Sequence, residues 1–444
     1  MTLYTFCRRD PGSAYIDRNL WLPKVRLGLR PIKQRLSFRV ATGKNRDKIV
    51  KMFAYREEEH HLVVPRNFMP PQELLDQDIP VIDLRPASYP RVVMAHSIIP
   101  RPHQVEPLAK LEKIGDGTLN VGCGRGKTVM ALYEAARVGA PTMVICQNSS
   151  ILQQWEREIN DKLDFNGDVR WVKGKGLPGD DTSFALATIQ SLYDRAGELP
   201  RSFTHRWGTV IFDEAHHVSA PKFSKAADIF PGRRLALTAT AKRNDGLEKI
   251  YQYHLGDIFH VDLTQDLVPK IIFLELPGFE PPKSVYDDVS LKTWLSKNPD
   301  YNAIIAKETR AALKKGRTVM VLSHRVDQLL ALEKLVPAGK AIYGPVKLED
   351  RDEILRSANP IFASMNLAQE GLDRPQLDTV LCATLFSNPN SFQQVAGRAL
   401  REFAGKMDPV IVFCVPTIRR CRNQAKRLAT FARKAGYPVE YHRA

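Results

Sequence analysis

The octapeptide Val121-Gly122-Cys123-Gly124-Arg125-Gly126-Lys127-Thr128 holds the residues best suited to chemistry. Two glycines lead into Gly-Lys-Thr at the start of a helical pattern that runs from Lys127 to Val138 and is closed by Gly139. In such a turn, backbone N–H groups can wrap a phosphate and the helix N-terminus adds partial positive charge. Lys127 would then reach the β- and γ-phosphates, and Thr128 would hold Mg²⁺. A phosphate loop ordinarily has Gly where Val121 stands, and Gly-rich turns also act as plain helix caps. Farther on, Val210-Ile211-Phe212 runs into Asp213-Glu214-Ala215-His216. Asp213, at a strand's carboxyl end, is placed to hold the Mg²⁺ that bridges phosphates, and Glu214 to orient or deprotonate an attacking water. Acidic pairs after strands often only cap the next helix, but a phosphate loop upstream favours the metal reading. The third signal is Gln394-Val395-Ala396-Gly397-Arg398-Ala399-Leu400-Arg401. Its arginines are three apart, so they share one face of a helix, from which they could neutralise charge on a transferred phosphoryl group. An isolated R-x-x-R is more often an exposed basic face, and the other two motifs lift it above that.

These residues need strands and helices that bring them to one place. Short apolar runs alternate with helical segments from about residue 100: Thr118 to Val121, Thr142 to Cys146, Phe184 to Thr188, Thr209 to Phe212 and Leu235 to Thr238 read as strands. A helix is expected over Ile151 to Asp161. Strands alternating with helices imply βαβ crossovers and a buried parallel sheet. The stretch Asp262 to Asn298, with Pro269, Pro277, Pro281 and Pro282, reads as a connector. A second alternation follows, with strands at Thr318 to Leu322, Ala341 to Tyr343, Ile361 to Ser364, Thr379 to Ala383 and Val410 to Val415. The class is therefore α/β, with two tandem parallel-sheet domains preceded by a small basic α+β domain. The boundaries fall at 1–95, 96–262 and 263–444.

Charge is concentrated at the ends. The 444 residues carry 65 Lys+Arg against 49 Asp+Glu, a net of +16. Residues 1–56 hold 14 basic and 3 acidic side chains and residues 410–444 hold 8 and 1, which leaves the middle near neutral. Such runs usually serve as solvated surface, but an excess confined to two segments also suits a polyanion. No apolar run reaches membrane-spanning length and Met1 to Asp10 lacks an apolar signal core, so membrane and secreted classes are not expected. Six cysteines without a C-x-x-C pair disfavour both a disulfide framework and a zinc site, and reduced thiols in a cytosol are expected.

The three motifs, in this order and with Thr238-Ala239-Thr240 after the acidic pair, resemble those of superfamily 2 DEAH-type helicases over about residues 100 to 415. Arg101-Pro102-His103-Gln104 is similar to that family's adenine-reading element, and Gln369-Glu370-Gly371-Leu372-Asp373 to its fifth motif. The resemblance implies two RecA-like domains, ATP and Mg²⁺ as cofactors, and DNA as partner. It gives adenine to Gln104 and Arg101, phosphate to Gly122, Gly124, Gly126, Lys127 and Thr128, and metal to Thr128 and Asp213. Glu214 takes the water, His216, Thr238, Thr240 and Gln394 couple the ATP site to the nucleic-acid track, Gly371 and Asp373 contact nucleotide, and Arg398 and Arg401 are arginine fingers. Within the superfamily, the Arg-Pro-His-Gln start, the TAT motif and Thr240-Ala241-Lys242-Arg243-Asn244-Asp245-Gly246 look most like tailed-phage UvsW-like helicases and their XPB and RecG relatives. That likeness implies a cytoplasmic motor, in the host cytoplasm if phage-encoded. It would remodel branched or forked DNA without sequence preference, with a monomer favoured. The net +11 in residues 1–56 suggests that residues 1–95 are a DNA-engaging module, the alternatives being a surface for a protein partner or a domain that only stabilises the first lobe. A motor subunit of a restriction or nuclease complex and an RNA helicase are the competing enzymes, and a binding module with a decayed site is the third alternative. His60, His61 and His217 are expected at the surface, and Trp155 and Trp171 are expected on a helix face or in the core.

Overall fold

The computed structural model describes residues 9–42, 48–122, 124–174, 176–219, 224–239, 247–264, 267–370, 372, 374–386, 389–399, 403 and 405–444. Contacts divide the chain into two units, Met1–Val121 with Gly126–Leu263, and Gly122–Arg125 with Thr264–Ala444. Each is built on a seven-stranded sheet. In the first, the strands are, in chain order, Gly117–Val121, Thr142–Cys146, Asp168–Trp171, Thr182–Thr188, Thr209–Phe212, Arg233–Thr238 and Ile258–Asp262. Numbered one to seven, they lie side by side as 3-4-2-5-6-1-7, every neighbouring pair parallel. The second unit arranges Lys270–Leu276, Val319–Ser323, Lys340–Ile342, Ile361–Ser364, Thr379–Cys382, Val410–Pro416 and Val439–Arg443 in the same order, again all parallel.

Parallel sheets are covered on both faces, so their strands read as continuous apolar runs. Strands one, two and five of the first sheet are buried along their whole lengths. Helices Lys127–Val138 and Ser149–Lys162 turn Met130, Leu132, Leu152, Trp155 and Ile159 into that core. Parallel strands also end at a common edge, which sets Cys146, Phe212, Thr238 and Val121 at the carboxyl ends of four adjacent strands.

Two sequence expectations change. The stretch expected as a connector contains strand one of the second sheet, Lys270–Leu276, with Val410–Pro416 on one side and Val439–Arg443 on the other. Its prolines, Pro269 and Pro277, flank the strand without entering it, so no ladder donor is lost. His61, expected at the surface, is 4% exposed, because strand His61–Pro65 is buried from end to end; its ring nitrogen lies 3.1 Å from the Ser13 carbonyl oxygen. His60 is exposed, and the side chain of His217 lies outside the described residues.

The amino-terminal module is a mixed sheet ordered Arg56–Glu57, His61–Pro65, Asn19–Pro23, Ala14–Ile16, Val81–Asp83, with helices Leu29–Arg35 and Pro71–Leu75. A buried charge cluster fastens it to the first parallel sheet. Arg66 pairs with Asp116 at 2.6 Å, both side chains nearly fully buried, and donates to the carbonyls of Pro231 and Gly232. Burial alone would raise the Asp116 pKa. The charges of Arg66 and Arg234, with hydrogen bonds from the Arg234 backbone and Asn67, hold it below the usual carboxylate value. A separate antiparallel hairpin, Ser37–Thr42 with Lys48–Phe53, sets Val40 against Leu247 and Ile250.

Candidate active site

Strand one delivers the glycine-rich loop. After Val121 the chain passes through Gly124 at φ 82° and Gly126 at φ 77°, left-handed values that side chains rarely tolerate, and then enters helix Lys127–Val138. A Cβ at Gly126 would also meet the Gln104 side-chain nitrogen, which would have to move aside. The predicted adenine-reading Gln104 therefore packs against the predicted phosphate loop. It is 3% exposed, and its oxygen accepts a hydrogen bond from the Arg101 backbone N–H at 2.9 Å, which closes the first turn of helix Pro102–Leu111. Lys127 Nζ donates to the Val121 carbonyl at 3.2 Å, which draws the ammonium back toward the strand end.

Strand five delivers the acidic pair. Asp213 is fixed from three directions: its own N–H donates to the Ile145 carbonyl at 2.9 Å, and its carboxylate accepts the Glu214 N–H at 2.9 Å and the Trp155 indole N–H at 2.9 Å. Burial pushes its pKa up and the charge of Glu214 pushes it further. The Trp155 bond, the Lys127 charge and the Glu214 N–H pull it back, and the net shift is upward. A carboxylate in that position has surplus anionic character that a divalent cation would neutralise. Glu214 has φ 48°, a costly left-handed value for a side-chain-bearing residue. Its carboxylate lies 3.4 Å from His216 Nδ1, and that nitrogen lies 3.2 Å from Thr238 Oγ1 at the end of strand six. His216 and Thr238 are both buried. Glu214, His216 and Thr238 thus form one contact line along the sheet edge.

Trp155 is the member that sequence reasoning places in the core without a role in the site. It is 1% exposed, as a core aromatic should be, and its one polar atom is spent on Asp213. The available signal is a tryptophan on the buried face of a helix that follows strand two, because a buried indole N–H needs an acceptor. Cys146, at the end of strand two, is buried and its thiol pKa is raised by burial and by the charges of Asp213 and Glu214, so it stays protonated.

The set fits ATP with Mg²⁺. Lys127 and the loop N–H groups suit the phosphates, and Asp213 with Thr128 would hold a hard cation that prefers oxygen ligands. Among the described residues no cluster of three or more His, Cys, Asp or Glu forms a metal cage of its own. Gln394 and Arg398 lie on helix Pro389–Ala399, with their side chains outside the described residues. Thr240, Gly371, Asp373, Arg401 and Cys123 also lie outside the described residues.

Two family models match the chain in succession: "Type III restriction enzyme, res subunit" over residues 97–243 and "Helicase conserved C-terminal domain" over residues 298–402. Between them they cover more than half of it, and each matched region contains most of one seven-stranded sheet. The chain belongs to the superfamily 2 helicases. The first matched region carries the glycine-rich loop, the acidic pair and the Thr238 motif of this helicase, and the second carries the Gln394 to Arg401 motif. Among relatives, "Probable helicase D10" of Escherichia phage T5 is 29% identical over 65% of this chain and 65% of its own length. "DNA 3'-5' translocase XPB2" of Sulfurisphaera tokodaii is 24% identical over 74% of this chain and 84% of its own. "Putative ATP-dependent RNA helicase L396" of Acanthamoeba polyphaga mimivirus is 24% identical over 79% and 71%. The helicase thus matches just under two thirds of the phage T5 protein. By fold it is similar to a fragment of a putative HsdR subunit of a type I restriction enzyme from Vibrio vulnificus, with TM-score 0.56, 17% identity and coverage of 79% of this chain and 69% of that one. It is also similar to Mycobacterium smegmatis helicase Lhr, with TM-score 0.53, 18% identity and coverage of 75% and 48%.

Proposed function

We propose that this helicase is a DNA translocase that hydrolyses ATP at the edge of the first parallel sheet and remodels branched or forked DNA, as a UvsW-like member of the DEAH-type group. The observation that carries the proposal is the line Glu214–His216–Thr238, which joins the group assigned to water activation to a second strand end. A change at the γ-phosphate is in this way felt at strand six and in the segment after it. Lys127 binds phosphate, Thr128 and Asp213 hold Mg²⁺, Glu214 positions the water, and Gln104 reads adenine. Arg398 and Arg401 stabilise transition-state charge, an assignment that rests on their motif, as do those of Gly371, Asp373, Thr240 and Gln394.

DNA as the track is supported by the translocase relative named above and by the basic ends of the chain. Residues 1–95 act as the module that directs the motor to junctions. The hairpin supports this assignment: Arg39 and Lys51 are cross-strand partners and both exposed, beside Ile49 and Phe53, which are also exposed. A two-stranded ribbon of this kind fits a DNA groove. An RNA track is the second reading, favoured by the mimivirus relative.

ATP hydrolysis measured with single strands, duplexes, forks, four-way junctions and RNA tests the proposal. Stimulation should be greatest with forks or four-way junctions. Stimulation by RNA alone would replace DNA as the substrate, and equal stimulation by plain duplex and junctions would remove the branched-DNA assignment.

A further inference from the structure

Helix Arg419–Lys434 follows strand six of the second sheet and covers it with Cys421, Ala425, Leu428, Ala429 and Ala432. These fall on one side of a 3.6-residue repeat. The other side holds Arg419, Arg420, Arg422, Lys426, Arg427, Arg433 and Lys434, all exposed, and no acidic residue interrupts the helix. By helical geometry the seven cations occupy an arc of about 160° opposite the buried stripe, along a helix roughly 24 Å long.

Three other exposed helices balance their charge. Helix Pro102–Leu111 pairs Lys110 with Glu106, helix Ser149–Lys162 pairs Lys162 with Glu158, and helix Leu348–Ser357 interleaves Glu349, Asp350, Asp352 and Glu353 with Arg351 and Arg356. Among the described residues, none of the seven cations of helix Arg419–Lys434 forms an ion pair. Arg420 is the least available: it donates to the Tyr286 carbonyl, and its charge helps to hold the Asp287 pKa low, after the Ser290 hydrogen bonds to that carboxylate. Seven like charges on one face repel one another, a cost that an extended polyanion removes by displacing counter-ions.

We propose that this face is a contact surface for the sugar-phosphate backbone of duplex DNA. The inference rests on the proposal that the helicase works on DNA. Its side chains distinguish a duplex from a single strand. Proteins that grip unpaired strands set aromatic rings among the cations so that bases can stack. Here the exposed arc contains Asn423 and Thr430 but no ring; exposed rings stand only at its margins, Tyr441 beneath Arg433 and stacked on Phe273, and Tyr286, whose carbonyl accepts from Arg420. Phosphates need only charge at helical-turn spacing, which the face supplies.

The test uses the full chain with R422Q/K426Q/R427Q, substitutions at exposed positions outside the ATP site. Duplex affinity is measured as a function of salt. The variant should bind duplex at least tenfold more weakly at low salt, and its log affinity should fall less steeply with log salt, by about 2.7 in slope if three phosphate contacts are lost. ATP hydrolysis without DNA should be unchanged, and R422K/R427K should keep the wild-type slope because it keeps the charge. If the triple variant does not fold, K426Q alone should lower the slope by about 0.9. A folded triple variant with the wild-type slope overturns the proposal, as an acidic protein partner for this face would predict. A loss confined to single strands also overturns it. If the wild type binds no DNA at all, the DNA reading itself fails; if it binds and only the variants are indifferent, this inference alone fails.

Discussion

The two seven-stranded sheets share one strand order and differ in what their strands end on. In the first, strand one leads into Gly-rich residues and Lys127, strand five into Asp213 and Glu214, and strand six ends on Thr238. In the second, strand one leads into Pro277, Gly278 and Phe279, and strand five into Ala383 and Thr384. One scaffold thus carries the glycine-rich loop and the acidic pair once, and once an edge where the Ser323 hydroxyl bonds Gln328 and Thr384. Topology decides where a site can stand, and the few residues past each strand end decide whether one does.

The comparison fails if the second edge matters for nucleotide binding as much as the first. Lys127→Ala should abolish ATP hydrolysis, because the phosphates lose their main protein cation, and Glu214→Gln should stop turnover while nucleotide binding by fluorescence titration persists. Glu280→Ala, in the segment after strand one of the second sheet, should leave both measurements at wild-type values.

The motif on helix Pro389–Ala399 offers the second unit a different part. Arg398→Ala and Arg401→Ala should each slow hydrolysis about a thousandfold with ATP affinity nearly intact, since finger arginines act on the transition state. If steady-state kinetics instead gave normal kcat with lost DNA stimulation, those arginines would belong to the track.

Stability gives a third contrast. Arg66 is buried against Asp116, whereas Arg317 in the second unit meets Asp378 at 3.3 Å with one fifth of its side chain exposed. Removing one partner of a buried pair strands the other charge, so Arg66→Met should cost about 3–5 kcal/mol. Arg317→Met should cost less, about 2 kcal/mol, because Asp378, although buried, keeps hydrogen bonds from the Thr318 N–H and the Thr379 hydroxyl. Denaturant unfolding of the full chain measures both. The sign with pH follows from the lowered pKa of Asp116. Its contribution is present above the ordinary aspartate value of 3.8 and is lost as pH falls through the lower folded value. Without Arg66 the folded pKa rises, so acid unfolding should begin at higher pH.

Among the residues of the site, the smallest effect on hydrolysis should come from Trp155→Phe. The ring's bulk is kept and one hydrogen bond to Asp213 is lost, worth about 1.5–3 kcal/mol for a charged acceptor. Hydrolysis should fall about tenfold. Asp213 must be ionised to hold metal, and the Trp155 bond lowers its already raised pKa. The acid limb of kcat against pH should therefore move to higher pH, a shift that a purely structural defect would not produce.

Much of this molecule was legible in one dimension. Parallel strands buried on both faces announce themselves as short apolar runs, and a phosphate loop needs its glycines and lysine next to one another, so Gly122 to Thr128 and Asp213 to His216 could be read without a fold. The strand Lys270–Leu276 could not, because its flanking prolines resemble a linker until the neighbouring strands are seen to satisfy its backbone. Trp155 gains its role only when helix Ser149–Lys162 lies over the sheet and puts its N–H 2.9 Å from a carboxylate 58 residues away. Local chemistry fixes which residues can act. Which of them meet is decided by the register of parallel strands, whose common carboxyl edge gathers Val121, Asp213 and Thr238 from distant parts of the chain.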